Sequence, residues 1–303
     1  MPDTRAPADS PPETAPALPQ AVEGAIARLK EEAAERALAM RQLRPLAKDG
    51  IYLEPKKLDK ALAKLAKAVD PAILERLGLE ELLRSLRDYI TTAPDRLRRG
   101  LGVELKAACE GRGLELRTIR REHPVEVRIP PLALVLDFPR GKGELCFARD
   151  PLESCKLDAE SILKGYDRAL KLLGAMPQPE EFFDLCRRAY LRVLRIDGLA
   201  EGERVELVRF LPELAVVMQG RRFRQNPTRS NFKPCSRAQF AYGVLGLRRA
   251  RLLTRGGFRI NFGVATGTTA SQKGRAIYLE DDQGNGEYKL TIFFTPGPSE
   301  GNG

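Results

Sequence analysis

Residues 236–264, SRAQFAYGVLGLRRARLLTRGGFRINFGV, change their hydrophobic period halfway along, and that change decides how the C-terminal part of the chain folds. From Ser236 to Arg251, Phe240, Val244, Leu245 and Leu247 supply the apolar side of a helix, although Gly243 and Gly246 weaken it. After Gly256 and Gly257 the period becomes two, so Phe258, Ile260, Phe262 and Val264 share one face of a strand. RAIYLEDD (275–282) and EYKLTIFF (287–294) complete a sheet around the turn DDQGNGE. Upstream, EEFFDLCRRAYLRVLRI and GERVELVRFLPELAVVMQG both read as helices, the second interrupted or restarted at Pro212.

Further upstream the chain alternates between classes. LELRTI, VEVRI, LALVLDF and ELCFAR are strand-like, with PRGKG a turn, which predicts a small antiparallel meander over 114–149. Asp158 is placed to cap a helix, AESILKGYDRALKLL, that Gly174 closes. Before the meander, Val22, Ile26, Leu29, Ala33, Met40 and Leu43 form a narrow seam broken only by Arg36, ending near Pro45. Leu58, Leu62, Leu65 and Val69 repeat the spacing, so the two segments predict a helical hairpin, zipped internally or as a short coiled coil against a partner or a second copy. Short helices follow at 80–90 and 94–109. The expected class is α+β: a disordered tail (1–20), a helical region (21–112), a small α+β domain (113–176), a basic domain (177–296) and a disordered end (297–303).

Charge is unevenly distributed. The chain has 303 residues, 51 Lys+Arg, 41 Asp+Glu and a formal charge of +10. Between Glu213 and Glu280 there is no acid, while residues 214–279 hold 13 of the basic residues, 11 of them arginine. The whole positive excess therefore lies in that stretch, and such a segment attracts polyanions. Within it, GRRFRQNPTRSNFKPCSRAQF (220–240) carries six cations and three phenylalanines. Arginine forks match phosphate oxygens. Phe223 and Phe232 are either stacking platforms for unpaired bases or anchors for a long loop.

In the order of its elements, residues 180–294 resemble the winged-helix members of the helix-turn-helix superfamily. The resemblance rests on three helices, the last bearing Arg237, Arg248, Arg249 and Arg251, followed by a β-ribbon. It implies a third helix entering the major groove through Arg237 and Gln239, and a wing touching the backbone through Lys273 and Arg275. The loop 220–234 is longer than a helix-turn-helix turn.

Other chemistry is poorly represented. The five cysteines form no CxxC pair, and His123 is the only histidine, in the basic turn RREHPVEV, which leaves little for Ser/His, Cys/His or zinc catalysis. GTTASQKGR and RGKGEL lack GxxxxGK[ST], and no cofactor motif is present. Asp137 and Glu144, read as facing each other across a hairpin, are the best metal-nuclease pair, but Cys146 stands where such a site needs lysine. No secretory signal or run of roughly 20 apolar residues is evident, so a cytoplasmic protein is expected.

These readings point to non-catalytic nucleic-acid binding, DNA favoured over RNA, in a subunit of a larger bacterial-type DNA-acting assembly. Phosphate contacts fall to Arg221, Arg222, Arg224, Arg229 and Lys233, with Arg248, Arg249 and Arg251 on the helix. A protein–protein adaptor meeting an acidic partner through the same face is the alternative, and a metal-dependent nuclease a third reading.

Overall fold

The computed structural model describes residues 17–266 and 274–297. The chain divides into two units, Met1–Pro94 and Asp95–Gly303, and mixes helices with antiparallel sheets, as the α+β reading expects.

The first unit is helical: α1 (Ala17–Leu43), α2 (Pro55–Ala68), α3 (Pro71–Arg76) and the start of α4 (Glu80–Glu110), with short 3-10 turns between α1 and α2. Leu58, Leu62 and Leu65 of α2 are buried at the expected spacing, beside Leu46, Val69, Leu74, Leu83 and Leu86. Removing such side chains from water is what stabilises a small unit, at about 1.5–3 kcal/mol each. The seam read on α1 is displaced. Ala39 is the buried residue, flanked by half-buried Glu32, Glu35, Leu38 and Leu43, while Val22, Ile26, Leu29 and Met40 are exposed. On this flank Glu35 pairs with Arg76 at 2.8 Å.

The second unit begins within α4, which continues through Pro94 where the sequence suggested two helices. Five strands form a meander in the order β1-β2-β3-β4-β5: β1 (Arg117–Arg120), β2 (Val125–Ile129), β3 (Leu132–Asp137), β4 (Lys142–Phe147) and β5 (Asp150–Lys156). The inward row of β3, Leu132, Leu134 and Leu136, is buried. α5 (Ala159–Gly174) packs on β4 and β5, and its N-cap is Asp158, whose carboxylate accepts the Ser161 N–H at 2.7 Å.

Then come α6 (Pro179–Asp197), β6 (Val205–Glu206), α7 (Leu207–Val217), α8 (Arg221–Gln225), α9 (Arg237–Arg249), β7 (Thr254–Arg255), β8 (Phe258–Val264), β9 (Ile277–Glu280) and β10 (Gly286–Pro296). The second sheet runs β6-β10-β8-β7, with β9 also on β10. Phe240 of α9 sits at its centre, with ring centroids 5.8 Å from Phe210, 6.2 Å from Phe182 and 6.3 Å from Phe262. One hydrophobic core runs from Leu101 to Phe294, through both segments that the sequence divided at 176/177.

Candidate nucleic-acid interface

The basic loop is held by one buried amide. Gln219, only 3% exposed, closes α7. Its Oε1 accepts the Lys233 N–H at 2.9 Å, and its Nε2 donates to the Lys233 carbonyl at 2.8 Å and to the Ala215 carbonyl. Both ends of residues 220–233 are thereby pinned together. Inside, α8 starts after Gly220, the Asn231 amide donates to the Asn226 carbonyl at 2.9 Å, and Phe223 meets Phe232 edge-on at 5.6 Å between centroids. Phe232 remains 41% exposed, so this pair braces the loop from its surface.

With the backbone spent on these contacts, the cations point outward. Arg221, Arg222, Arg224, Arg229 and Lys233 are all exposed, and none has a side-chain hydrogen bond or ion pair among the described residues. A groove of about 400 Å³ beside them is lined by Arg224, Phe223 and Val216, and by Arg188 and Arg192 of α6. Arg192 is engaged by Glu213 at 2.5 Å, whose carboxyl that hydrogen bond holds below its ordinary range, whereas Arg188 is exposed and unpaired among the described residues.

The remaining expected contacts are placed differently. Arg237 pairs with Asp150 at 3.2 Å and donates to the Gly274 carbonyl at 2.8 Å and to the Ala276 carbonyl. Gln239 is 6% exposed, completes a capping box with Ser236 and donates to the Leu172 carbonyl. Arg248 donates to the Glu280 carbonyl, Arg249 pairs with Asp282 at 2.5 Å, and Arg275 pairs with Glu206 at 2.7 Å. Arg251 follows α9 in the left-handed conformation, φ 57°, and is exposed. Lys273 lies outside the described residues.

Two expectations are corrected. The groove-entering third helix is not free to do so: α9 packs on α5, α6, β4, β5 and β9, and Arg249 is its only exposed residue. Nor does the acid-free stretch lack counter-ions, because Asp150, Asp184, Glu206 and Asp282 supply them from elsewhere in the chain. The sequence reading missed Gln219 and Arg188. A single amide after the apolar run LAVVM was the only hint of the first.

The metal pair is likewise separated by register. Asp137 stands opposite Lys142 and Glu144 opposite Val135, and Asp137 accepts the Arg140 N–H at 2.9 Å within its turn. Among the described residues no three His, Cys, Asp or Glu side chains converge as metal ligands. Burial raises the thiols of Cys146 and Cys235 to about 12 and of Cys155 to about 11, which removes them as thiolate nucleophiles at neutral pH. His123 is exposed in the β1–β2 turn. Among the described residues no helix is long and apolar enough to cross a membrane. Compared with family models, curated proteins and solved structures, the chain matches none.

Proposed function

We propose that the chain binds nucleic acid without catalysing a reaction on it, duplex DNA being favoured, as a subunit of a larger assembly. The observation that carries this reading is the loop pinned by Gln219, which holds Arg221, Arg222, Arg224, Arg229 and Lys233 exposed and unpaired among the described residues. Unneutralised cations on an ordered loop suit phosphate contact, which supplies affinity and carries no sequence information by itself. The sequence α6, β6, α7, α9 and a β8–β10 ribbon, with β10 between β6 and β8, supports the winged-helix likeness. In this reading the backbone is held by the loop and α8, not by α9 in a groove.

The test is fluorescence anisotropy of labelled duplex DNA, single-stranded DNA and RNA across a salt series, with wild type and Arg221→Glu/Arg222→Glu/Arg224→Glu. The change should flatten the log–log salt slope by about 2–3, each lost phosphate contact being worth roughly 0.9. Absence of binding by folded wild type near micromolar concentration at low salt would overturn the reading. An adaptor that docks an acidic protein partner through the same basic face is the second reading, favoured by the same exposed cations, unpaired among the described residues. It expects negligible binding to free DNA and stable co-purification with an acidic subunit.

A further inference from the structure

We propose that the outer face of the five-stranded sheet carries a separate oxyanion site that takes the phosphate of a phosphomonoester. It shares no residue with the 220–234 loop and does not depend on that loop's function. A cavity of about 710 Å³ opens between this face and the β9–β10 turn. Its floor is the outward row Ala133, Val135 and Cys146, and its walls bring together Arg117 and Arg120 of β1, Arg128 of β2 and Arg149 of the β4–β5 turn. Glu126 and Glu280 are the acids lining it and Glu115 pairs with Arg117 from beside it, so the four arginines leave an excess of one positive charge.

Three features shape the walls, and the first and third are costly for a structure with nothing to bind there. First, Arg128 is 6% exposed: its Nη2 donates to Glu280 at 2.9 Å and to the Pro131 carbonyl at 3.1 Å, yet its Nε has no acceptor among the described residues. A buried donor without a partner costs about 1–3 kcal/mol. Second, the turn is pressed onto this guanidinium at Gly284, where φ is 86° and a Cβ would stand 1.9 Å from Arg128 Nη1. Only glycine permits that approach.

Third, the β4–β5 turn places Ala148 at φ 50° and Arg149 at φ 64°. These left-handed positions are ordinarily filled by Asn-Gly, and a residue with a Cβ is strained there. The strained turn holds the Arg149 guanidinium 4.0 Å above the Tyr278 ring, at the wall of the cavity. A buried orphan donor, an enforced glycine and a strained arginine at one cavity indicate a site organised for a ligand.

The chemistry of the ligand follows from the walls. The N–H groups left over from the Arg117–Glu115, Arg120–Glu126 and Arg128–Glu280 pairs, with Arg149 above Tyr278, suit the oxygens of a phosphate monoester better than one planar carboxylate. The floor and Tyr278 give an attached organic body an apolar shelf, and the volume falls within the roughly 300–1,000 Å³ of small-molecule sites. A free mononucleotide and the 5′-phosphate end of a strand present the same group.

Calorimetric titration of the full chain with AMP, and with 5′-phosphorylated and 5′-hydroxyl tetranucleotides, separates the two sources. Two variants report on the site. Arg149→Gly removes the guanidinium and suits the left-handed backbone, so the fold is kept, and Arg120→Ala removes an exposed arginine. AMP binding, or a preference of about tenfold for the 5′-phosphate, is expected, with each variant weakening binding about tenfold and inorganic phosphate competing. Arg221→Glu/Arg222→Glu/Arg224→Glu should leave AMP affinity and the preference for the 5′-phosphate unchanged. The proposal falls if no probe binds wild type at about 1 mM, if binding survives both cavity variants, or if only the loop variant weakens it.

Discussion

Arg237 has an ordinary position in the sequence and a demanding one in the structure. Its guanidinium serves Asp150, Gly274 and Ala276, a set drawn from both sides of α9. Asp150 has its carboxyl raised by burial, against the pull of Arg237, so removing the arginine raises it further and leaves two carbonyls without their donor. Arg237→Ala should therefore lower stability in urea by about 2–4 kcal/mol, the scale of lost hydrogen bonds to charged groups, while the salt slope of DNA binding stays within about half a unit of wild type. A stable variant with a flattened slope would return Arg237 to the nucleic-acid surface. Counting charges along the sequence could not separate Arg237 from Arg221. What separates them is Asp150, 87 residues earlier, and only folding brings it close.

Elements were legible where local chemistry was strong. The Asp158 cap, the PRGKG turn, the spacing of α2 and the switch of period after Gly256 are all carried by neighbouring residues. β6 was hidden because it is two residues long and merges into α7, and the ELCFAR reading ran through Ala148 and Arg149 because neither is a usual turn residue. α4 was divided at Pro94, yet Leu83 and Leu86 bury on one side of that proline and Leu101, Leu105 and Cys109 on the other, so packing outweighs the lost hydrogen bond. Gly243 makes the same point within α9. Propensity alone says that Gly243→Ala stabilises the helix by about 1 kcal/mol. In the fold, a Cβ there would meet Phe182 Cζ at 2.5 Å, and Phe182 is fully buried against Phe240. The variant should instead lose about 1–3 kcal/mol by chemical denaturation, the cost of overpacking. A gain would mean that α6 and α9 are less tightly packed than their contact distances indicate.

At the scale of the whole molecule, the two cores divide the work. The larger core takes its buried residues from Leu101 to Phe294, and the smaller from Ala39 to Leu86. The loop 220–234 and its Gln219 clamp belong wholly to the larger unit, and the exposed residues Val22, Ile26 and Leu29 wholly to the smaller. A fragment of residues 95–303 therefore keeps everything the proposed phosphate contact requires. It should unfold in one cooperative transition and bind labelled duplex DNA with a salt slope within about half a unit of the full chain. Self-association should behave oppositely. A helix with an apolar seam in water gains by pairing, at about 25 cal/mol per Å² of apolar surface covered, so the full chain should show concentration-dependent sedimentation that the fragment lacks. Loss of DNA binding in a folded fragment would move the nucleic-acid surface into the helical unit. Sedimentation that is identical and monomeric for both would leave α1 without a second copy and direct its exposed side to a different partner.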